Sequence, residues 1–298
     1  MADARSLAVQ SVLYGNPQHD IVRAAVALAN SVKWARNDGF VGEWELQLGD
    51  CSPEPVFDDE TLAPIVEAVT AQGGTVEYTF FGANLGSAAG HNALAGRSST
   101  QLLVILNPDA QVAPDTIGVL AGGLTGTVGI VESRQIPLEH PKDFEKGTGD
   151  TSWASTACAM TTREAFDKVD GFDSDTFFLY CDDVDYSWRL RLAGYRVVYE
   201  PAARLFHDKR LTLDGDWPAS SAEIYYSAEA AILLAHKYSR PDLVKTLVAG
   251  YRKEGGEAVL KAVAEYESRA SSGKLPQPVD PGHKVASFLK GNYAVHRF

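Results

Sequence analysis

Two acidic motifs and one histidine carry most of the chemistry that this sequence could perform. A pure hydrocarbon run, Leu102–Leu106, stops at Asn107-Pro108-Asp109. Such a run reads as a strand buried on both faces, as in a parallel sheet. Pro108 brings no N–H to a ladder, so the strand ends there. Asp109 is thereby presented at the carboxyl end of a central strand, where open α/β sheets bind ligands. Further along, Asp182-Asp183-Val184-Asp185 opens a helical segment and His207 ends a strand-like one; Tyr14, Asn16 and Asp50 also follow strand candidates. Strand ends of a largely parallel sheet share one edge, so these groups are expected to converge. Crowded carboxylates repel one another unless a cation sits among them. Asn or Asp with Asp and His suits a divalent ion, with Mg²⁺ or Mn²⁺ typical where a ligand phosphate completes the shell.

The elements that must position these groups alternate through the first two thirds of the chain. Residues 6–13 read as a buried strand, and Ile21, Ala25, Leu28, Val32 and Ala35 keep helical spacing behind a cap at Asp20. Trp44, Leu46 and Leu48 alternate with polar residues up to Asp50, a half-buried strand. A helix stripe (Leu62, Ile65, Val66, Val69) and an alternating strand (Val76, Tyr78, Phe80) follow. After the Asp109 strand come a short helix near 114–124 and a strand over 128–131. The polar stretch 134–150 reads as a mobile loop. A strand over 152–161, a helix over 163–169, the acidic helix to Ala193 and two short strands, 196–199 and 204–206, complete the pattern. From residue 222 the signal is helical only. The expected division is an α/β domain over 1–215 and a helical extension with a tail over 216–298.

At 298 residues and 45% hydrophobic, the chain is long enough for a substantial core. Its net charge of −12, from 39 acidic and 27 basic residues, includes no basic block and disfavours nucleic acid as a partner. Cys51, Cys158 and Cys181 are odd in number and widely spaced, which fits reduced thiols in the cytoplasm. The N-terminus lacks a signal-peptide apolar region, and no apolar stretch reaches the ~20 residues of a membrane span. Peripheral contact with the inner face of a membrane, and a homodimer through the C-terminal helices, stay open.

The segments 84–92, 106–110, 171–173, 178–195 and 201–207, in this order, carry a resemblance to family 2 glycosyltransferases. The likeness spans about residues 6–240 and is nearest to bacterial rhamnosyl- and galactofuranosyl-type enzymes. It implies a GT-A fold, a mixed and mostly parallel sheet flanked by helices, and inverting transfer from a nucleotide-diphosphate sugar to a glycan or glycolipid hydroxyl. By the same resemblance Asp183 is the general base, and Asp109 and His207 hold the Mn²⁺ or Mg²⁺, with Asn107 beside them. Asp50 pairs with the nucleobase in a pocket lined by Tyr14 and Asn16, UDP- or dTDP-linked donors being expected before GDP-linked ones. Asn84, Gly86 and Gly90 lie along the nucleotide and sugar, and Trp153 and Asp182 border the acceptor. The opening of a helix at Asp182 favours ionised carboxylates there.

Each motif alone has a plainer reading. Asn-Pro-Asp is ordinary turn chemistry, Asp50-Cys51-Ser52-Pro53 is another turn, and acidic residues suit the first turn of any helix. Asp185 reads as structural and Tyr225-Tyr226 as core. Three positions depart from the family pattern: Asp182 stands where Glu is usual, Thr156 where Gly is frequent, and Glu229-Ala230 where an Arg-Asn pair is common. Two rival functions are a sugar nucleotidyltransferase, which needs a basic Gly-rich loop where Tyr14-Gly15-Asn16-Pro17 stands, and a nucleotide-sugar-binding module without turnover.

Overall fold

The computed structural model describes residues 4–139, 143–207 and 219–294. Eight strands form one sheet among these residues: β1 (Arg5–Leu13), β2 (Val41–Asp50), β3 (Gly74–Phe80), β4 (Leu102–Leu106), β5 (Ala110–Val112), β6 (Val128–Ile136), β7 (Cys158–Thr162) and β8 (Arg196–His207). The helices are α1 (Gln18–Asn37), α2 (Asp59–Thr70), α3 (Gly86–Ala95), α4 (Thr116–Gly123), α5 (Arg163–Lys168), α6 (Asp182–Leu192), α7 (Ser221–Lys237), α8 (Pro241–Glu254) and α9 (Glu257–Ser271). The strand order is β3-β2-β1-β4-β7-β6-β8-β5, with β7 and β5 running against the other six.

Alternation along the central strands assigns each side chain to one of two cores, because successive residues of a strand face opposite sides. Leu102, Val104 and Leu106 join Leu7 and Val9 in a cluster capped by Ile21, Leu28 and Val32 of α1 and Ile117 and Leu120 of α4. Leu103 and Ile105 face the other way, with Ala8, onto Ala88 of α3, Phe166 of α5 and Tyr186 and Leu190 of α6. All five β4 residues are therefore buried, as the hydrocarbon run predicts. Each such Leu or Ile contributes on the order of 1.5–3 kcal/mol by leaving water.

Several boundaries differ from the sequence reading. The first helix starts at Gln18 behind Pro17, so Asp20 lies in its first turn rather than capping it. β6 runs on to Ile136, through residues whose polarity suggested a loop, because β8 pairs with it there. The chain over 152–157 is irregular, and β7 begins only at Cys158. The two short strands expected at 196–199 and 204–206 are one, β8, bulging between Glu200 and Arg204 to pass Pro201. Bulges are where a strand accommodates proline.

The C-terminal helices share a core with the α/β layer. Trp188 and Val184 of α6 pack with Leu233, Leu234 and Tyr238 from α7 and its cap. A buried ionic network pins the same helices. Lys237, 5% exposed, reaches Asp173 at 2.6 Å and Asp185 at 2.5 Å. Arg189 bonds the other Asp185 oxygen at 2.6 Å, and the Tyr238 hydroxyl donates to Asp185 at 3.1 Å. Asp185 is structural, as its position suggested. The expected boundary at 215/216 lies outside the described residues. Cys51, Cys158 and Cys181 are all buried, and none is in a disulfide among the described residues.

Candidate functional site

The ends of β4 and β8 meet at one rim. β5 folds back antiparallel on β8 and sets Ala110 opposite His207, so Asp109 falls beside the histidine. Asp109 Oδ1 lies 3.5 Å from His207 Nε2, and Asn107 Nδ2 lies 3.3 Å from the same nitrogen. His207 Nδ1 lies 3.2 Å from Gln135 Oε1. A carbonyl oxygen can only accept, so Gln135 holds the proton on Nδ1 and leaves the Nε2 lone pair facing Asp109. That is the tautomer a metal ion needs, with the outer hydrogen bond that usually fixes it. Gln135 escaped the sequence reading because it sits in a polar stretch with no apolar period.

The acidic pair is turned into place by unusual backbone. Tyr180 and Cys181 both have positive φ (67° and 57°), and α6 begins at the next residue. Consecutive non-glycine residues in the left-handed region persist where packing imposes them, and such strain gathers at functional sites. Here Cys181 is buried in the α6–α7 core. Asp183 is half-buried, and its Oδ1 accepts the Val184 N–H at 2.8 Å. Ser187 donates its hydroxyl to the Asp183 carbonyl and accepts the Ala154 N–H, tying the 152–157 segment to this turn.

Asp182 is 5% exposed and its Oδ2 has no hydrogen-bond partner. Burial, then the charge of Asp183, pushes its carboxyl up to about 7, against a hydrogen bond from Ser87. The helix N-terminus, which favours ionised carboxylates, does not offset this at Asp182. Desolvation of a fully buried group outweighs a dipole effect of about 1 kcal/mol or less.

The nucleotide-side candidates lie at the ends of β1 and β2 and on α3. Tyr14 is 56% exposed, and its N–H donates to Asn16 Oδ1 at 2.9 Å. Asp50 is fully buried. Its oxygens accept the N–H groups of Ser52 and Val56 and the Tyr78 hydroxyl, so it shapes the loop after β2. Those bonds hold its carboxyl below the usual value although burial alone would raise it. Gly15 N–H donates to the Ser52 hydroxyl and joins the two loops. Asn84 is exposed, and its side chain accepts the Gly86 N–H at 3.1 Å. Gly86 and Gly90 are close-approach positions. A Cβ would fall 2.3 Å from the Phe178 carbonyl at Gly86, where φ is +74°, and 2.8 Å from Val12 at Gly90.

Two features were not foreseen. Tyr226 stacks on Phe178 at 4.8 Å and lies near enough to Tyr14 for the two phenols to interact, so α7 borders this rim. Glu229, where the family has a cation, is buried against Arg269 of α9 at 3.1 Å. A basic group thus reaches the position from another helix. Trp153 is buried rather than open to the rim, 5.4 Å from Tyr293.

Comparison with solved structures settles the architecture. The chain aligns over 91% of its length with the Pyrobaculum calidifontis mannosyltransferase PcManGT, solved with GDP-Man and Mn²⁺, covering 81% of that protein (TM-score 0.55, 15% identity). It aligns over 92% with GalNAc-T7, solved with UDP, GalNAc and Mn²⁺, covering 56% of that chain (TM-score 0.63, 12% identity). The chain has the GT-A fold. No family model matches it. In sequence the GT-A chain is 30% identical to the N-acetylglucosaminyl-diphospho-decaprenol L-rhamnosyltransferase of Mycobacterium tuberculosis over 141 residues, 46% of this chain and 45% of that protein. It is 34% identical over 67 residues to rhamnosyltransferase WbbL of Escherichia coli K12, 22% of this chain and 25% of that protein. It thus covers less than half the length of these relatives.

In this GT-A chain, no three His, Cys, Asp or Glu side chains among the described residues converge into a cluster that could hold a metal ion. Asp109 and His207 are a two-residue set with Asn107 alongside. That set fits a divalent cation whose remaining positions are filled by ligand oxygens and water. No described helix is long and apolar enough to cross a membrane.

Proposed function

We propose that this chain is a glycosyltransferase that moves a sugar from a nucleotide-diphosphate donor to a hydroxyl of a glycan or glycolipid, with inversion. The observation that carries this reading is the Asp109–His207 pair, with the imidazole proton directed away from Asp109 by Gln135. The sequence similarity to rhamnosyltransferases supports it independently. Asp109 and His207 would hold Mn²⁺ or Mg²⁺, and the bound cation supplies Lewis-acid neutralisation of the departing diphosphate. Tyr14, Asn16 and the Asp50-shaped loop receive the base of a UDP- or dTDP-linked donor, and Asn84 with the α3 glycines flanks its sugar.

Asp183 accepts the proton of the acceptor hydroxyl as that oxygen bonds to the anomeric carbon and the carbon–phosphate oxygen bond breaks. Burial and the charge of Asp183 favour the protonated form of Asp182, which relieves repulsion on its neighbour. Neighbouring carboxyls held in different protonation states are a recurrent way to divide such roles.

Metal-dependent release of nucleoside diphosphate tests the proposal. Asp183→Asn should lower turnover by roughly 10²–10⁴-fold with donor binding retained. Asp109→Ala, His207→Ala or chelation should instead weaken nucleotide binding, by roughly tenfold or more for each charge-assisted bond removed. Binding with no hydrolysis or transfer, across a full donor and acceptor panel, would refute catalysis.

A further inference from the structure

A second cavity, of about 800 Å³, opens between residues 143–153, the turn from α6 into β8, and residues 284–294. It lies at the Arg196 end of β8, whereas His207 ends the same strand. Because β8 bulges, its length is set by the nine residues of β6 beside it, which put these ends roughly 25–30 Å apart. The volume falls within the range of small-molecule sites, roughly 300–1,000 Å³.

Much of its charged lining is already committed. Asp150 pairs with Arg196 at 2.8 Å, Glu145 accepts the Thr148 N–H of its own turn, and the Tyr195 hydroxyl donates to Glu164. Arg191 and Lys284 differ. Neither makes a salt bridge among the described residues, and both line the cavity. Arg191 is half-buried and spends one nitrogen on the carbonyls of Val285 (2.7 Å) and Ser152 (3.5 Å). Burial lowers its pKa, and the charges of Asp280 and Asp150 act on it only from a distance. The Asp280 carboxylate is itself taken up by the N–H groups of Lys284, Val285 and Ala286. Asp143, exposed at the mouth, is the remaining acid of the lining. Ser152 and Ser287 place hydroxyl-bearing side chains on the wall.

We propose that this cavity is a second binding site, for a phosphate monoester carried on a sugar or polyol, with the phosphate between Arg191 and Lys284 and the polyol toward Ser152 and Ser287. A guanidinium and an ammonium from separate segments supply two positive charges, which suits a phosphate dianion. The site stands apart from the rim and does not depend on the activity proposed for it.

Calorimetric titration with glucose 1-phosphate tests this, run with and without saturating UDP and Mn²⁺. Binding is expected in both conditions. Lys284→Gln and Arg191→Gln should each weaken it about tenfold, the loss of one hydrogen bond to a charged group. Lys284 is exposed, so its variant keeps the fold even if loss of the Arg191 carbonyl bonds does not. A parallel arm measures co-sedimentation with phosphatidylcholine vesicles containing phosphatidic acid. Binding confined to vesicles and abolished in the same variants assigns the phosphate to a lipid headgroup, and binding of the soluble ester assigns it to a free sugar phosphate. No binding in either arm, binding that both variants leave unchanged, or binding abolished by UDP and Mn²⁺ overturns the proposal.

Discussion

Replacing Lys237 by Met separates the charge of the α6–α7 network from its packing. The Met side chain retains most of the aliphatic stem but removes the ammonium, which lies over the Phe177 ring at 5.5 Å and within 2.6 Å of both Asp173 and Asp185. Breaking a buried ion pair by removing one partner costs about 3–5 kcal/mol, because the other charge stays buried. Two features place this case at the low end. Asp185 keeps Arg189 and the Tyr238 hydroxyl, and the Asp173 side chain is 23% exposed and keeps the Thr176 N–H. About 3 kcal/mol, at roughly 2 °C per kcal/mol for a large domain, lowers the melting temperature by roughly 6 °C. Burial raises the Asp173 carboxyl, but the hydrogen bonds from Lys237 and Thr176 outweigh it and hold the group below its usual value. A depressed carboxylate contributes stability above its unfolded pKa and loses it as pH falls through the folded one. The Lys237→Met deficit should therefore shrink in acid, below the ordinary carboxylate range. Asp173→Asn added to Lys237→Met should recover part of the loss by removing the stranded charge. Thermal unfolding followed by circular dichroism from neutral pH into acid measures all three effects. A melting temperature unchanged by Lys237→Met, or a deficit of equal size at every pH, would refute the reasoning.

Asp182 has the opposite sign. Its folded pKa of about 7 lies above that of an unfolded carboxyl, so its contribution is full in acid and lost as pH rises toward neutrality and beyond. Asp182→Asn should melt higher than the wild type at pH 8, with the difference closing toward pH 4; a gap that widens in acid excludes burial of a charge as the cause. Gly86→Ala should cost more than Gly39→Ala in urea unfolding. Both sites have positive φ, worth roughly 1 kcal/mol or more in either case, but only Gly86 places the new methyl against a carbonyl. Equal losses at the two sites would show that strain alone accounts for both.

The sequence made the central sheet legible because β4 is a hydrocarbon run closed by proline and β1–β3 keep a plain period. Asp109 and His207 could be placed at one rim for the same reason: each ends a strand with a clear apolar pattern. The strand of β7 was legible but its antiparallel direction was not, since five apolar and small residues look alike in either direction. Gln135 was missed because its end of β6 is polar, and a polar stretch of strand is visible only through the partner that pairs with it. The Lys237 network and the Tyr226–Phe178 stack join residues tens of positions apart, and no local periodicity marks an interaction that tertiary packing creates. Asp182 could be read as helix-opening, but its protonation depends on burial, which a helix-start signal does not contain.

The three buried cysteines make this chain its own reporter of opening. Cys51 follows β2 and donates its N–H to the Leu13 carbonyl at the end of β1, Cys158 begins β7 with burial pushing its thiol up to about 12, and Cys181 precedes the acidic pair. Thiolate is the reactive form, so labelling reagents are shut out while each shelter stays closed. The order in which the sulfurs become modified would rank the loop after β2, the sheet centre and the α6 turn by how readily each breathes, with no probe added to the protein.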